Sequence, residues 1–233
     1  MINLKAVVLS SGGLDSTTCL GIAVDKLGRE NVSALSVFYG QRNARELSSA
    51  KLVAEHYGVA HYEFDVAAIF SNSSSALLNT STAELEHSTY GEQVVDGGRI
   101  ETYVPFRNGL MISTAASFAD SLYDDETVEL YIGIHQDDVA ANAYPDCRAD
   151  FIQAIGAAVN IGTYGKIKLV APFVGKTKAD VVKIGVALKV PYEITWSCYE
   201  RGDRPCGKCA TCLDRAKAFA ANGIPDPAVN YNS

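Results

Sequence analysis

The apolar run Ala6-Val7-Val8-Leu9 passes without a break into Ser10-Ser11-Gly12-Gly13-Leu14-Asp15-Ser16-Thr17. That order predicts a buried strand turning through two glycines into a helix, the building unit of an α/β fold. The turn suits an anion. Glycine lets the backbone come close to a ligand, and successive N–H groups at a helix N-terminus carry partial positive charge. Ser11, Ser16 and Thr17 add hydroxyl donors. No lysine stands where G-x-x-x-x-G-K-[ST] would place one, so this is not the common nucleoside-triphosphatase cradle. The plain alternative is a serine-rich turn, but strand, glycines, acid and hydroxyls here follow the order that a nucleotide site needs.

Strand-like runs recur at residues 4–9, 32–38, 61–65, 128–134 and 167–170, with helical patterns between most of them. This alternation predicts an α/β, doubly wound, mostly parallel five-stranded sheet covered on both faces. Helices are expected from Asp15 to Gly28, over 46–57 and over 109–122, their apolar stripes serving as core. Open sheets of this kind bind ligands beyond the carboxyl ends of their strands. Four loops should therefore meet, at 10–17, 39–42, 135–148 and 172–178. Residues 70–102, rich in Ser, Thr and Gly, are expected to form an irregular insertion or lid, or simply a surface loop. The tail from Gly223 should be extended.

Lys and Arg total 20 against 27 Asp and Glu, a formal net charge of −7. Such a surface does not attract polyanions in bulk, which weighs against nucleic acid as a partner. No run of about 18 apolar residues exists to span a membrane, and the N-terminus has no signal-peptide layout, so a cytoplasmic protein is expected. The six cysteines are unevenly placed: Cys19 and Cys147 stand alone, while Cys198, Cys206, Cys209 and Cys212 cluster. In a cytosolic chain that spacing reads as metal binding before disulfides. Zinc in a closed, structural four-thiolate shell is the first expectation, an iron–sulfur cluster or redox thiol pair the alternative.

The loop Ser11-Gly12-Gly13-Leu14-Asp15-Ser16 resembles the S-G-G-x-D-S signature of the PP-loop ATP pyrophosphatases. With 9–20, Tyr39-Gly40-Gln41-Arg42 plus Glu46, Val104-Pro105-Phe106-Arg107-Asn108, Tyr144-Pro145-Asp146-Cys147-Arg148, Gly175-Lys176-Thr177-Lys178 and Thr195-Trp196-Ser197-Cys198-Tyr199, the resemblance narrows to the 7-cyano-7-deazaguanine synthase family. It implies an ATP-dependent ligase, likened to a PP-loop α/β domain over 1–195, with zinc knuckle, helix and tail over 196–233. Its substrates would be 7-carboxy-7-deazaguanine and free ammonium, with ATP and Mg²⁺, one zinc on the four cysteines, and a homodimer. Ser10, Ser11, Gly12, Gly13, Leu14, Asp15, Ser16, Thr17, Thr18, Cys19 and Leu20 would form the nucleotide site. Asp15, Ser16, Arg107 and Lys176 would be catalytic, with Lys178 a further phosphate-neutralising cation. Asp146 would face the base or cap a turn, and His135 would transfer a proton or have no such role. Asn43 stands where the family pattern has His, and the run from Gly133 to Tyr144 is slightly long. Competing readings are a tRNA thiolation enzyme and a nucleic-acid-binding regulator using Lys208, Arg215 and Lys217.

Overall fold

The computed structural model describes residues 4–43, 45–88, 100–142, 144–200 and 202–228. Five strands, β1 (Leu4–Leu9), β2 (Val32–Phe38), β3 (Ala60–Asp65), β4 (Thr127–Tyr131) and β5 (Ile167–Val170), form one sheet in the order β3-β2-β1-β4-β5. Every pairing is parallel. The order reverses between β1 and β4, which is where a doubly wound sheet opens its ligand crevice. β4 ends earlier than the apolar run suggested, because Ile132 makes the last ladder bond, to Val170, and β5 stops there.

Side-chain alternation along β1 assigns the two layers. Val7 and Leu9 face α3 (Arg107–Leu122) and α4 (Ala149–Gly162), meeting Ile112, Ala115, Ala119 and Val159. Ala6 and Val8 face the other layer, built from α1 (Leu14–Leu27), α2 (Arg45–Tyr57), α5 (Lys178–Ala187) and α6 (Ala210–Ala221). The stripes predicted for α1 and α3 are thus core: Leu20 and Ala23, and Ala115, are fully buried. A Thr177–Asp180 capping box starts α5, each side chain accepting from the other's backbone N–H.

The expected insertion is irregular but folded. Ala76, Leu77, Leu78 and Leu85 build a small core with Tyr39, Phe70 and Val104. It clamps the loop after β2 through Arg42, whose guanidinium donates to the carbonyls of Ser81 and Ala83. Residues 89–99 of the same stretch lie outside the described residues. The tail is anchored: Arg215 on α6 makes a two-pronged bond to Asp226 at 2.6 and 2.8 Å, both residues being buried. Among the described residues no helix is long and apolar enough to cross a membrane.

Candidate active site and metal site

The turn after β1 is held from two sides. Ser10 extends the ladder by donating to Leu35, and the chain then bends at Gly12, whose φ is +77°. A Cβ at Gly12 would overlap the backbone of Glu46 and Ala50 on α2, so the bend needs glycine for conformation and for space. Across the crevice, a Cβ at Gly133 would come within 2.9 Å of the Asp15 backbone, so the segment after β4 touches the first turn of α1. Ser16 Oγ accepts from the Ser11 N–H at 3.1 Å, and the Gly13 N–H leans on Ser11 Oγ at 3.3 Å. The result is a knot of amides and hydroxyls at a helix N-terminus, open to a cavity.

Ser10, Ser11, Gly13, Leu14, Asp15 and Ser16 line that cavity, while Gly12 supports it from behind. Thr17, Thr18, Cys19 and Leu20 point inward, since the helical turn carries them toward the sheet. Thr18 Oγ1 donates to the Leu14 carbonyl and shares a hydrogen bond with the Tyr192 hydroxyl, both at 2.8 Å. The buried Thr17 Oγ1 has no partner among the described residues.

The loops expected to converge do so, although not with every side chain. Tyr39 and Gln41 after β2, Asp138, Tyr144 and Cys147 after β4, and Lys178 after β5 all reach the cavity. Arg107, at the start of α3, joins them; it donates to the Tyr39 hydroxyl at 3.1 Å, with its guanidinium 5.2 Å from that ring's centre. Lys178 is 6% exposed, and its ammonium sits 3.6 Å from the Asp15 carboxylate. Lys176 is exposed and is not among the cavity's lining residues; its carbonyl accepts from Gln136 instead. The rise into α5 explains the contrast, because position 178 opens the helix facing the sheet and position 176 lies in the turn before it.

Asp146 acts on the backbone. Its Oδ2 accepts from the Asn108 N–H at 2.9 Å, capping the first turn of α3 and fixing Arg107 beside it. Asn108 in turn donates to Cys147 Sγ at 3.1 Å. Asn43 donates from Nδ2 to the carbonyls of Cys198 and Glu200.

Charge around the turn is arranged in opposition. Burial raises the Asp15 pKa, but Lys178 and His135 outweigh it and hold the carboxyl at about 2. His135 is 2% exposed, its Nε2 lying 3.6 Å from Asp15 and 3.5 Å from Asp138. Burial lowers its pKa, yet those carboxylates prevail and raise it. Neither ring nitrogen has a hydrogen-bond partner among the described residues. His135 was the residue the sequence could least decide, since a lone loop histidine carries no signal of the acids that the fold brings to it. Glu46, on the cavity wall, is pushed up to about 7 by burial against the opposing pull of Arg107.

The last wall comes from the cysteine segment. Trp196, Ser197, Tyr199 and Thr211 line the cavity, and just beyond them Cys198, Cys206, Cys209 and Cys212 bring their sulfurs within 4.8 Å of one another. Backbone N–H groups of Cys206 and Cys209 point at Sγ atoms, each at 3.3 Å. This group could hold a metal ion: four converging soft donors, supported by amide dipoles, close a tetrahedral shell.

A segment from each end of the chain thus frames one cavity, and the match to known proteins spans the same length. The family model for the queuosine biosynthesis protein QueC matches residues 5–223. The chain belongs to that family. Curated members named 7-cyano-7-deazaguanine synthase include one from Archaeoglobus fulgidus, 42% identical over 96% of this chain and 89% of its own length. Those from Marinomonas sp. and Oceanobacillus iheyensis are 37% and 36% identical, covering 96% and 97% of this chain and 96% and 98% of theirs. Arg215, one of the three cations that a nucleic-acid-binding regulator would use, is spent on buried Asp226.

Proposed function

We propose that this chain is an ATP-dependent ligase that converts 7-carboxy-7-deazaguanine and ammonia to 7-cyano-7-deazaguanine. The observation that carries the reading is the amide bend at Ser11 to Ser16 opening on a cavity with cationic and aromatic walls, in a chain that matches the family over residues 5–223. A carboxylate oxygen attacks the α-phosphorus of ATP and pyrophosphate leaves, giving an acyl adenylate. Ammonia displaces AMP to form the amide. The amide oxygen attacks a second ATP, and loss of AMP with the nitrogen's two protons leaves the nitrile.

In this scheme the bend and the hydroxyls of Ser11 and Ser16 hold the departing pyrophosphate, and Mg²⁺, when bound, would help neutralise its charge. Lys178 and Arg107 balance its charge, while Asp15 orients Lys178. Tyr39, Tyr144 and Tyr199 give the flat base a wall to lie against. Glu46, held at about 7, accepts the proton that the attacking nitrogen gives up. The four cysteines would hold one structural zinc, which would tie their segment together without offering an open position for catalysis; the Cys206 and Cys212 sulfurs lie 4.0 Å apart. The protein is a cytoplasmic homodimer. Ala154, Ala157, Ala158 and Ile161 form an exposed apolar stripe on α4, and residues 151–165 carry no charge, so this face meets its copy across a two-fold axis without repulsion.

The test incubates protein with the carboxylate, ATP, Mg²⁺ and labelled ammonium, following base and nucleotide by mass. Labelled nitrile and AMP are expected, and Asp15→Ala should abolish both. Sulfur transfer to tRNA without conversion of the free acid would overturn the proposal. Ile161→Lys should halve the mass seen in sedimentation while leaving the fold intact.

A further inference from the structure

The chain has a single tryptophan, and it stands between its two proposed binding sites. The Trp196 backbone N–H donates to the Gly12 carbonyl at 2.9 Å, holding the residue at which the phosphate turn bends. Its indole N–H donates to the Cys198 carbonyl at 2.8 Å. The ring is 7% exposed, and the Arg45 guanidinium lies 4.7 Å from its centre. A second route runs in parallel. Asn43 donates to the carbonyls of Cys198 and Glu200, its Oδ1 accepts from the Arg45 N–H at the start of α2, and α2 supplies the backbone on which Gly12 packs.

Cys198 is therefore tied to Gly12 twice, by an indole and by an amide. A thiol that takes its place on a metal fixes its own backbone, and here that backbone is an acceptor for both ties. We propose that Trp196 is a positioning residue linking the cysteine site to the phosphate turn, so that metal at the four thiols and a triphosphate in the cavity bind cooperatively. The proposal rests on the reading that zinc and ATP occupy these sites. Linkage is reciprocal: whatever metal does for nucleotide affinity, nucleotide does equally for metal.

The experiment uses the zinc-loaded protein. Zinc release to a chromogenic chelator is timed with and without saturating ATP and Mg²⁺, ATP binding is measured by calorimetry, and Trp196 emission is recorded in both states. ATP should slow zinc release about fivefold or more, the low end of ordinary allosteric coupling, and should shift the emission. Trp196→Phe keeps the backbone donor and an aromatic ring but loses the indole bond. It should retain its zinc while losing more than half of the ATP effect. Asn43→Ala, which cuts the parallel tie, should reduce the effect also. If ATP binds with unchanged zinc release, the coupling is refuted and the functional reading survives. If Trp196→Phe keeps full coupling, Trp196 is not the link. If ATP does not bind, both fall together.

Discussion

The turn after β1 lines the cavity and the cysteine group lies just behind its far wall, and the two are held in place by different physics. The turn is an outgrowth of the sheet. It follows a strand with no exposed residue between Ala6 and Leu9, and its bend is wedged against α2. The cysteine group has a core of four buried residues, three of them cysteines, and its backbone is fixed by individual hydrogen bonds from Asn43 and Trp196. A surface so small cannot stabilise a segment by apolar burial alone. The turn inherits its rigidity from the fold, whereas the cysteine segment leans on individual hydrogen bonds.

Replacing one thiol should have the largest effect. Cys209→Ser should lose bound zinc and melt the segment around it, seen as less than one metal per chain and fast proteolysis near residue 200, while the circular dichroism of the sheet persists. If the whole protein unfolded instead, the contrast between the two regions would be broken. Asp226→Ala comes next, because it leaves the Arg215 guanidinium buried without its partner. A loss of about 3 to 5 kcal/mol in urea unfolding is expected.

Gly12→Ala tests the turn itself. Strain at a positive φ together with overlap on the α2 backbone should cost about 2 to 3 kcal/mol and most of the nucleotide affinity, with zinc content unchanged. A smaller effect is expected from pH. His135 faces Asp15 on α1, Asp137 and Asp138 in its own turn, Lys178 on α5, and Asp214 on α6. Its pKa is raised above the ordinary 6.5, so its charged form stabilises the fold fully below that value, and this is lost as pH rises through the raised one. Asp15 runs the other way: its contribution is present above 3.8 and is lost as pH falls toward about 2. ATP affinity should therefore weaken by about tenfold at most between roughly pH 6 and pH 9, as a nearby cation is discharged. His135→Gln should flatten that slope in calorimetry across the range.

Legibility followed the range of the interaction. Strand–turn–helix order, the glycine bend and the cysteine spacing are local, and each could be read from a dozen neighbouring residues. Helix α4 turns Ile152 and Ile155 to the core and Ile161 to solvent, a division that residue type cannot reveal because all three are isoleucine. Lys176 and Lys178 share one short motif, and only the rotation of α5 separates an exposed cation from a buried one. The Asn108 N–H that Asp146 accepts lies 38 residues away, so nothing local to Asp146 announces that it caps α3.

Sequence alone determined which chemical groups this protein owns and how its backbone alternates, since short-range sterics and hydrophobic period act along the chain. The tertiary structure decided which of those groups meet: His135 with Asp15, Asn43 with Cys198, Trp196 with Gly12. Those pairings are set by sheet order and layer packing. Residues more than a hundred positions apart are neighbours only once the apolar faces have closed.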